Sequence, residues 1–170
     1  MDYYDIAADS CNIDATIEKK LGFKKIFKIS IDSKNSKIVY QNNFKLKKLI
    51  KLNKISAVIC DDYKIDKKLL KLISKNKIIL CIPIPNTKQR FNLSRDLYKI
   101  SNLFLYSNKN KILATFITFA KSNKYLCSYI QLIEFAKFIG ADDQYAKFCL
   151  SEINKILIQK INNDKNETKT

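Results

Sequence analysis

The sequence predicts an α/β protein with parallel strands under a cover of helices, and three observations carry that prediction. Apolar runs and amphipathic stretches alternate at least four times along the 170 residues. The runs at 55–60, 77–82 and 112–120 are apolar at nearly every position, as strands buried on both faces are. The length suits one domain with a single core, and falls short of the 200 or so residues of a complete eight-unit barrel.

Each element has its own signal. Residues 3–7 read as a short first strand. Asn12 is placed to cap a helix with Ile13, Ile17 and Leu21 on one face, and Gly22 is its stop. Residues 25–31 alternate as a strand whose buried set begins at Ile26, 32–36 make a turn, and 37–40 add a second strand-like piece. Those two pieces together suggest a hairpin. Residues 44–52 form a basic amphipathic helix with Leu46, Leu49 and Ile50 inward. The strand 55–60 ends in Asp61-Asp62, and a second basic helix from 65 to 74 turns Leu69, Leu70 and Ile73 inward. The strand 77–82 stops at Pro83-x-Pro85, because proline donates no ladder hydrogen bond. From 92 to 107, Leu93, Leu97, Ile100 and Phe104 keep a helical stripe.

After the strand 112–120 comes a basic polar loop, then a helix from about 129 to 139. That helix holds more apolar surface than one face can carry, which predicts burial nearly all round. Gly140 breaks it, and Asp142 or Asp143 caps a closing helix in which Tyr145, Phe148, Cys149, Ile153, Ile156 and Leu157 form an apolar face. The chain from 141 to about 160 is therefore expected in the core. A single domain over 1–161 and a loose polar tail over 162–170 follow.

Composition removes most enzyme classes. The chain has no histidine, which excludes Ser-His-Asp and Cys-His catalysis and imidazole metal ligation. Gly22 and Gly140 are its only glycines, so neither the dinucleotide fingerprint nor the P-loop is present. The five cysteines form no Cys-x-x-Cys pair, the first residues lack a secretory pattern, and no stretch reaches the roughly 18 apolar residues of a membrane span. A cytoplasmic setting fits these features.

The net charge of +16 predicts attraction to a polyanion. Abundant lysine, asparagine and isoleucine with scarce glycine, proline and arginine also match A+T-rich coding, but acids number only 16 against 32 basic residues. Arg90 and Arg95 are the only arginines, and both follow the Pro83-x-Pro85 strand end at the start of a helix. Arginine pairs bidentately with phosphate in a way lysine does not. Lys121 and Lys124 lie on the loop after the strand 112–120. In a parallel sheet that loop and the loop carrying Arg90 open on one edge, so Arg90, Arg95, Lys121 and Lys124 are read as an RNA-binding rim. The helix lysines between 45 and 71 read as a solvated face. Tyr3, Tyr4, Tyr125 and Tyr129 are candidates for base stacking, or for packing at the core margin.

Asp5 and Asp9 flank the end of the first strand, and Asp61-Asp62 close a later one. Strand ends are where α/β proteins bind ligands, and paired carboxylates hold magnesium. A small magnesium-dependent phosphoesterase using these aspartates is thus an alternative function, and a basic α/β adaptor without an RNA ligand is another.

The C-terminal third carries a resemblance. The strand 112–120 runs through Ala120-Lys121 to Leu126-x-Ser128, then into a helix ending in Ile139-Gly140 and a short helix with Ala146 and Leu150. This order resembles the archaeal and eukaryotic ribonuclease P protein component 3 family. There an apolar strand leads to Ser-Ser-Gly-Ala-Lys, then Leu-Arg-Ser-Pro, a helix ending in Leu-Gly, and a short helix rich in alanine and leucine. Here Ile117-Thr118-Phe119 stands in place of Ser-Ser-Gly, Cys127 in place of the arginine and Tyr129 in place of the proline. The resemblance implies a TIM-barrel-like fold, reduced or distorted at this length, with an open, doubly wound parallel α/β sheet as the alternative. It implies a ribonuclease P subunit that supports RNA-catalysed removal of 5′ leaders from precursor tRNA. Its partners would be the ribonuclease P RNA, precursor tRNA and the component 2 protein. The family's barrel looks like metal-dependent phosphoesterase barrels whose first strand carries Asp-x-His-x-His, where this chain reads Asp5-Ile6-Ala7-Ala8-Asp9. That comparison implies a scaffold with no catalytic residue, metal or cofactor of its own.

Overall fold

The computed structural model describes residues 1–8, 10–29, 37–40, 42, 45–64, 66–85 and 92–167, with 161–167 described by their backbone alone. The protein is α/β with parallel strands: β1 (Tyr4–Ala8), β2 (Lys25–Ile29), β3 (Ile38–Tyr40), β4 (Ala57–Ile59), β5 (Ile79–Pro83) and β6 (Ala114–Ile117). β1 pairs with β2, and β3-β4-β5-β6 form a four-stranded sheet, all in parallel register. Just past β6, Phe119 N donates to Ile6 O at 2.9 Å and Ala8 N to Ala120 O at 3.0 Å. These bonds join the two sheets in the order β3-β4-β5-β6-β1-β2. Among the described residues no ladder joins β2 to β3, so the sheet is open.

The expected hairpin between 25–31 and 37–40 does not form. β2 pairs instead with β1, and β3 with β4. The helical crossover Ala15–Leu21 delivers β2 parallel to β1, and the crossover Leu46–Lys51 delivers β4 parallel to β3. Each strand thus takes its partner through a helix and not through the short link between β2 and β3.

The helices are α1 (Ala15–Leu21), α2 (Leu46–Lys51), α3 (Lys67–Lys75), α4 (Leu93–Lys109), α5 (Tyr129–Phe138), α6 (Asp143–Phe148) and α7 (Asn154–Glu167). A π-helical turn, Cys149–Ile153, joins α6 to α7. Successive strands from β3 to β6 step the same way across the sheet, so their crossover helices gather on one face. There Ile50, Ile73, Phe104 and Leu132 pack on Ala7, Val58, Leu80 and Phe116. The opposite face presents Ile6, Ile38, Ile59, Ile79 and Ile117, and Cys149, Ile153 and Leu157 cover it. The winding is therefore single, with the chain's end supplying the third layer.

That placement bears out the expectation that the chain from 141 to about 160 belongs to the core. Asn154 ties it down: Thr115 Oγ1 donates to Asn154 Oδ1 at 2.8 Å, and Asn154 Nδ2 donates to Tyr4 O at 2.8 Å. The expected loose end from 162 overlaps the last turns of α7, whose backbone runs to Glu167. Burial of α5 all round is corrected, because Ile130 and Phe138 are 56% and 72% exposed. The following chain crosses to the far face of the sheet instead of covering α5 from outside.

Helix ends repeat one device. At the ends of α1, α2, α3 and α4 the backbone closes with paired bonds, such as Ile78 N to Ile73 O with Lys77 N to Ser74 O, and Ile112 N to Ser107 O with Lys111 N to Asn108 O. This is the Schellman pattern, and its left-handed residue is Gly22, Asn53, Lys77 or Lys111 in turn. Only Gly22 meets the usual preference. A Cβ there would also lie 2.4 Å from Tyr129 Cδ1. The cap of α1 is Asp14, whose Oδ1 accepts from Ile17 N at 2.8 Å, so the helix starts later than Asn12 predicts.

Candidate nucleic-acid interface

The C-terminal ends of the strands form one edge, and the loops after β1 and β6 are stitched together there. Ser10 Oγ donates to Lys121 O at 3.1 Å, and Cys11 Sγ to Asn123 Oδ1 at 3.1 Å. Asp5 holds the same junction from inside. Its carboxylate is fully buried and accepts from Thr118 N at 3.0 Å and from Thr118 Oγ1 at 2.5 Å. It shares the helix-covered side of β1 with Ala7, so it does not open on the edge. Burial pushes its pKa up to about 6, against the opposing pull of the Thr118 hydrogen bonds.

The aspartates considered for magnesium do not converge. Asp61 and Asp62 follow β4, and β5 and β6 lie between β4 and β1. At about 4.8 Å per strand that is a separation of roughly 14 Å. Asp62 Oδ1 accepts from Lys64 N at 3.0 Å and so closes a local turn. Asp9 lies outside the described residues. Among those described, no group of three or more His, Cys, Asp or Glu side chains is placed to hold a metal ion. The cysteines are poor nucleophiles as placed, since burial pushes the Cys81 and Cys149 thiols up to about 12.

Of the basic residues read as a rim, Arg90 lies outside the described residues. Arg95 is exposed in the first turn of α4 and sits next to Asp96, which pairs with Lys99 at 3.4 Å. Lys121 and Lys124 are exposed on the loop after β6. Because β5 and β6 are parallel neighbours, Arg95 and these two lysines share the edge, although no described contact joins them. Lys124 Nζ lies 4.9 Å from the centre of the Tyr125 ring. Tyr3 and Tyr129 stack on each other at 4.6 Å, so each spends a face on the other at the core margin.

The opposite edge carries a feature that residue-by-residue reading missed. Every crossover helix returns there, and each return is marked by lysine: Lys19, Lys20 and Lys24 around the end of α1, Lys51 and Lys54 after α2, Lys75 and Lys77 after α3, Lys109 and Lys111 after α4. All nine are exposed. The acids beside them are Asp2, which pairs with Lys24 at 2.6 Å, and the buried Glu18, which pairs with Lys25 at 3.2 Å. From Lys51 to Lys111 these turns contain no described ion pair. Lysine suits a helix C-terminus because it faces the negative end of the macrodipole.

No family model and no curated protein matches this chain. What distinguishes the molecule is its geometry: one edge of mixed charge, where Asp14, Asp66 and Asp96 sit at helix N-termini, and one edge of lysine. The second was legible in principle, from the lysines that close each predicted helix together with the prediction that the strands are parallel. No helix among the described residues is long and apolar enough to cross a membrane.

Proposed function

We propose that this chain is an RNA-binding scaffold protein, and that, as its C-terminal resemblance implies, it serves as a protein subunit of ribonuclease P. The lysine edge carries the reading. Exposed lysines at successive turns, which from Lys51 to Lys111 make no described ion pair, match the spaced negative charge of an RNA backbone. Neutralising closely placed phosphates releases counterions and lets RNA segments pack together. The catalytic RNA would cleave the 5′ leader from precursor tRNA, and the protein would hold its fold. Arg95, Lys121 and Lys124 would give a second, weaker contact on the other edge, and the component 2 protein would complete the particle in the cytoplasm. The cyclic strand order 3-4-5-6-1-2 is that of a barrel opened between β2 and β3, with the chain's end occupying the face that would line such a barrel.

The placement of the carboxylates supports a scaffold over a phosphoesterase. Asp5 is committed to Thr118, and Asp61 and Asp62 lie across the sheet from it. Isolation of the tagged protein from its own cells, followed by sequencing of the bound RNA, is the test. Enrichment of the ribonuclease P RNA is expected. Recovery without any enriched RNA, or cleavage of precursor tRNA by the purified protein alone, would overturn the proposal.

A further inference from the structure

The lysine edge contains a cavity of about 230 Å³ between the last turns of α3 and α4. Leu70 and Ile112 give it an apolar floor, Tyr106 and Ser74 line its walls, and Lys71 and Lys75 stand at successive turns of α3 beside it. We infer that it receives one unpaired base of a single-stranded RNA whose phosphates lie on the flanking lysines. The inference rests on the RNA-binding reading and adds to it a subsite with its own chemistry.

Size is the first ground. The volume is below the roughly 300–1,000 Å³ of small-molecule pockets, which suits one ring system of a longer polymer. Polarity is the second. The cavity lies at two helix C-termini, where the macrodipole disfavours a phosphate inside and favours groups that donate hydrogen bonds, as base amino groups do. The Ser74 hydroxyl makes only a long 3.5 Å bond to Asn110 O, so it can turn toward a base at little loss. Tyr106 supplies an aromatic wall for stacking, and the exposed ammonium groups of Lys71 and Lys75 supply the charge outside. A duplex keeps its bases stacked and paired, and so has none to offer.

Fluorescence polarisation with the full chain tests this, using a labelled ten-nucleotide oligo(A) and an RNA duplex of equal length. Tyr106→Ala should weaken oligo(A) binding roughly ten-fold, leave the duplex unchanged and leave the salt dependence intact, while Tyr106→Phe keeps the affinity. Ser74→Leu, which fills the cavity without removing the ring, should repeat the selective loss and stands in if Tyr106→Ala fails to fold. Lys75→Ala should instead lower the salt slope by about 0.7. Folded Ser74→Leu protein that binds oligo(A) like the parent would overturn the subsite and leave the RNA reading standing. Failure of the parent chain to bind either RNA would overturn both. Binding to phosphatidylserine vesicles that Ser74→Leu abolishes would make the cavity a lipid site and overturn it as well.

Discussion

The two edges of the sheet are made by the same helices and carry different charge. At the C-terminal edge helices begin, and Asp14, Asp66 and Asp96 stand at their first turns beside the exposed Asp62. At the N-terminal edge the same helices end, and the turns from α1 to α4 carry nine exposed lysines. Helix termini prefer acids at the start and bases at the finish. A parallel fold aligns all the starts and all the finishes, so a local preference worth tenths of a kcal/mol gathers these acids at one edge, among exposed lysines such as Lys45, Lys47, Lys67 and Lys68, and leaves the turns of the other edge mostly to lysine. A helix bundle of alternating direction would scatter the same residues.

The contrast depends on a sheet held between two covers, and removing one cover gives the largest expected effect. Ending the chain at Gly140 strips Cys149, Ile153 and Leu157 from Ile6, Ile38, Ile59, Ile79 and Ile117. Each large side chain so exposed is worth about 1.5–3 kcal/mol, and the fragment 1–140 should be insoluble or lack a cooperative thermal transition. A soluble fragment with a sharp transition would mean that the edges are organised without the third layer.

A smaller effect separates the edges by pH. Asp5, which holds the C-terminal edge together at Thr118, has a native pKa of about 6 against an ordinary 3.8. Because the native value is raised, its contribution to stability is fully present below pH 3.8 and is lost as pH rises through about 6. The difference amounts to roughly 3 kcal/mol at 1.36 kcal/mol per unit. Urea unfolding of the parent should weaken over that window relative to Asp5→Asn, whose profile should be flat there. Equal pH profiles would sink the assignment.

The smallest effect concerns the lysine edge itself. Lys77 and Lys111 hold left-handed backbone at φ 52° and 54°, a conformation that favours glycine. Lys111→Gly should raise stability by about 0.5–1 kcal/mol while weakening RNA binding. Loss of stability with unchanged binding would mean that lysine holds these turns for a structural reason and not for RNA.

Much of the fold was legible because its signals are local. Continuous apolar runs marked β4, β5 and β6, Gly22 marked the end of α1, and the pair Asp142-Asp143 marked the start of α6, where Asp142 Oδ1 accepts from Tyr145 N at 2.7 Å. The hairpin misreading arose where two short strands follow each other and only long-range pairing decides their partners. The exposure of Phe138 and Ile130 was illegible for a related reason, since the apolar count of α5 does not say which side the following chain takes. For the site, the sequence singled out rare residues, Arg90 and Arg95, and passed over common ones. Lysines at the turns became a surface only once the strand direction gathered them.

The most direct test of a functional lysine edge is the salt dependence of RNA binding in two charge-matched triple variants. Lys75, Lys77 and Lys109 changed together to Gln should lower the slope of log K against log salt by about 2, at roughly 0.7 per phosphate on single-stranded RNA. Arg95, Lys121 and Lys124 changed together to Gln should lower it by well under half of that, because the same edge also carries the exposed acids Asp62 and Asp66, which repel phosphate. Equal losses, or a larger loss from the second triple, would contradict the account and return the RNA to the C-terminal edge.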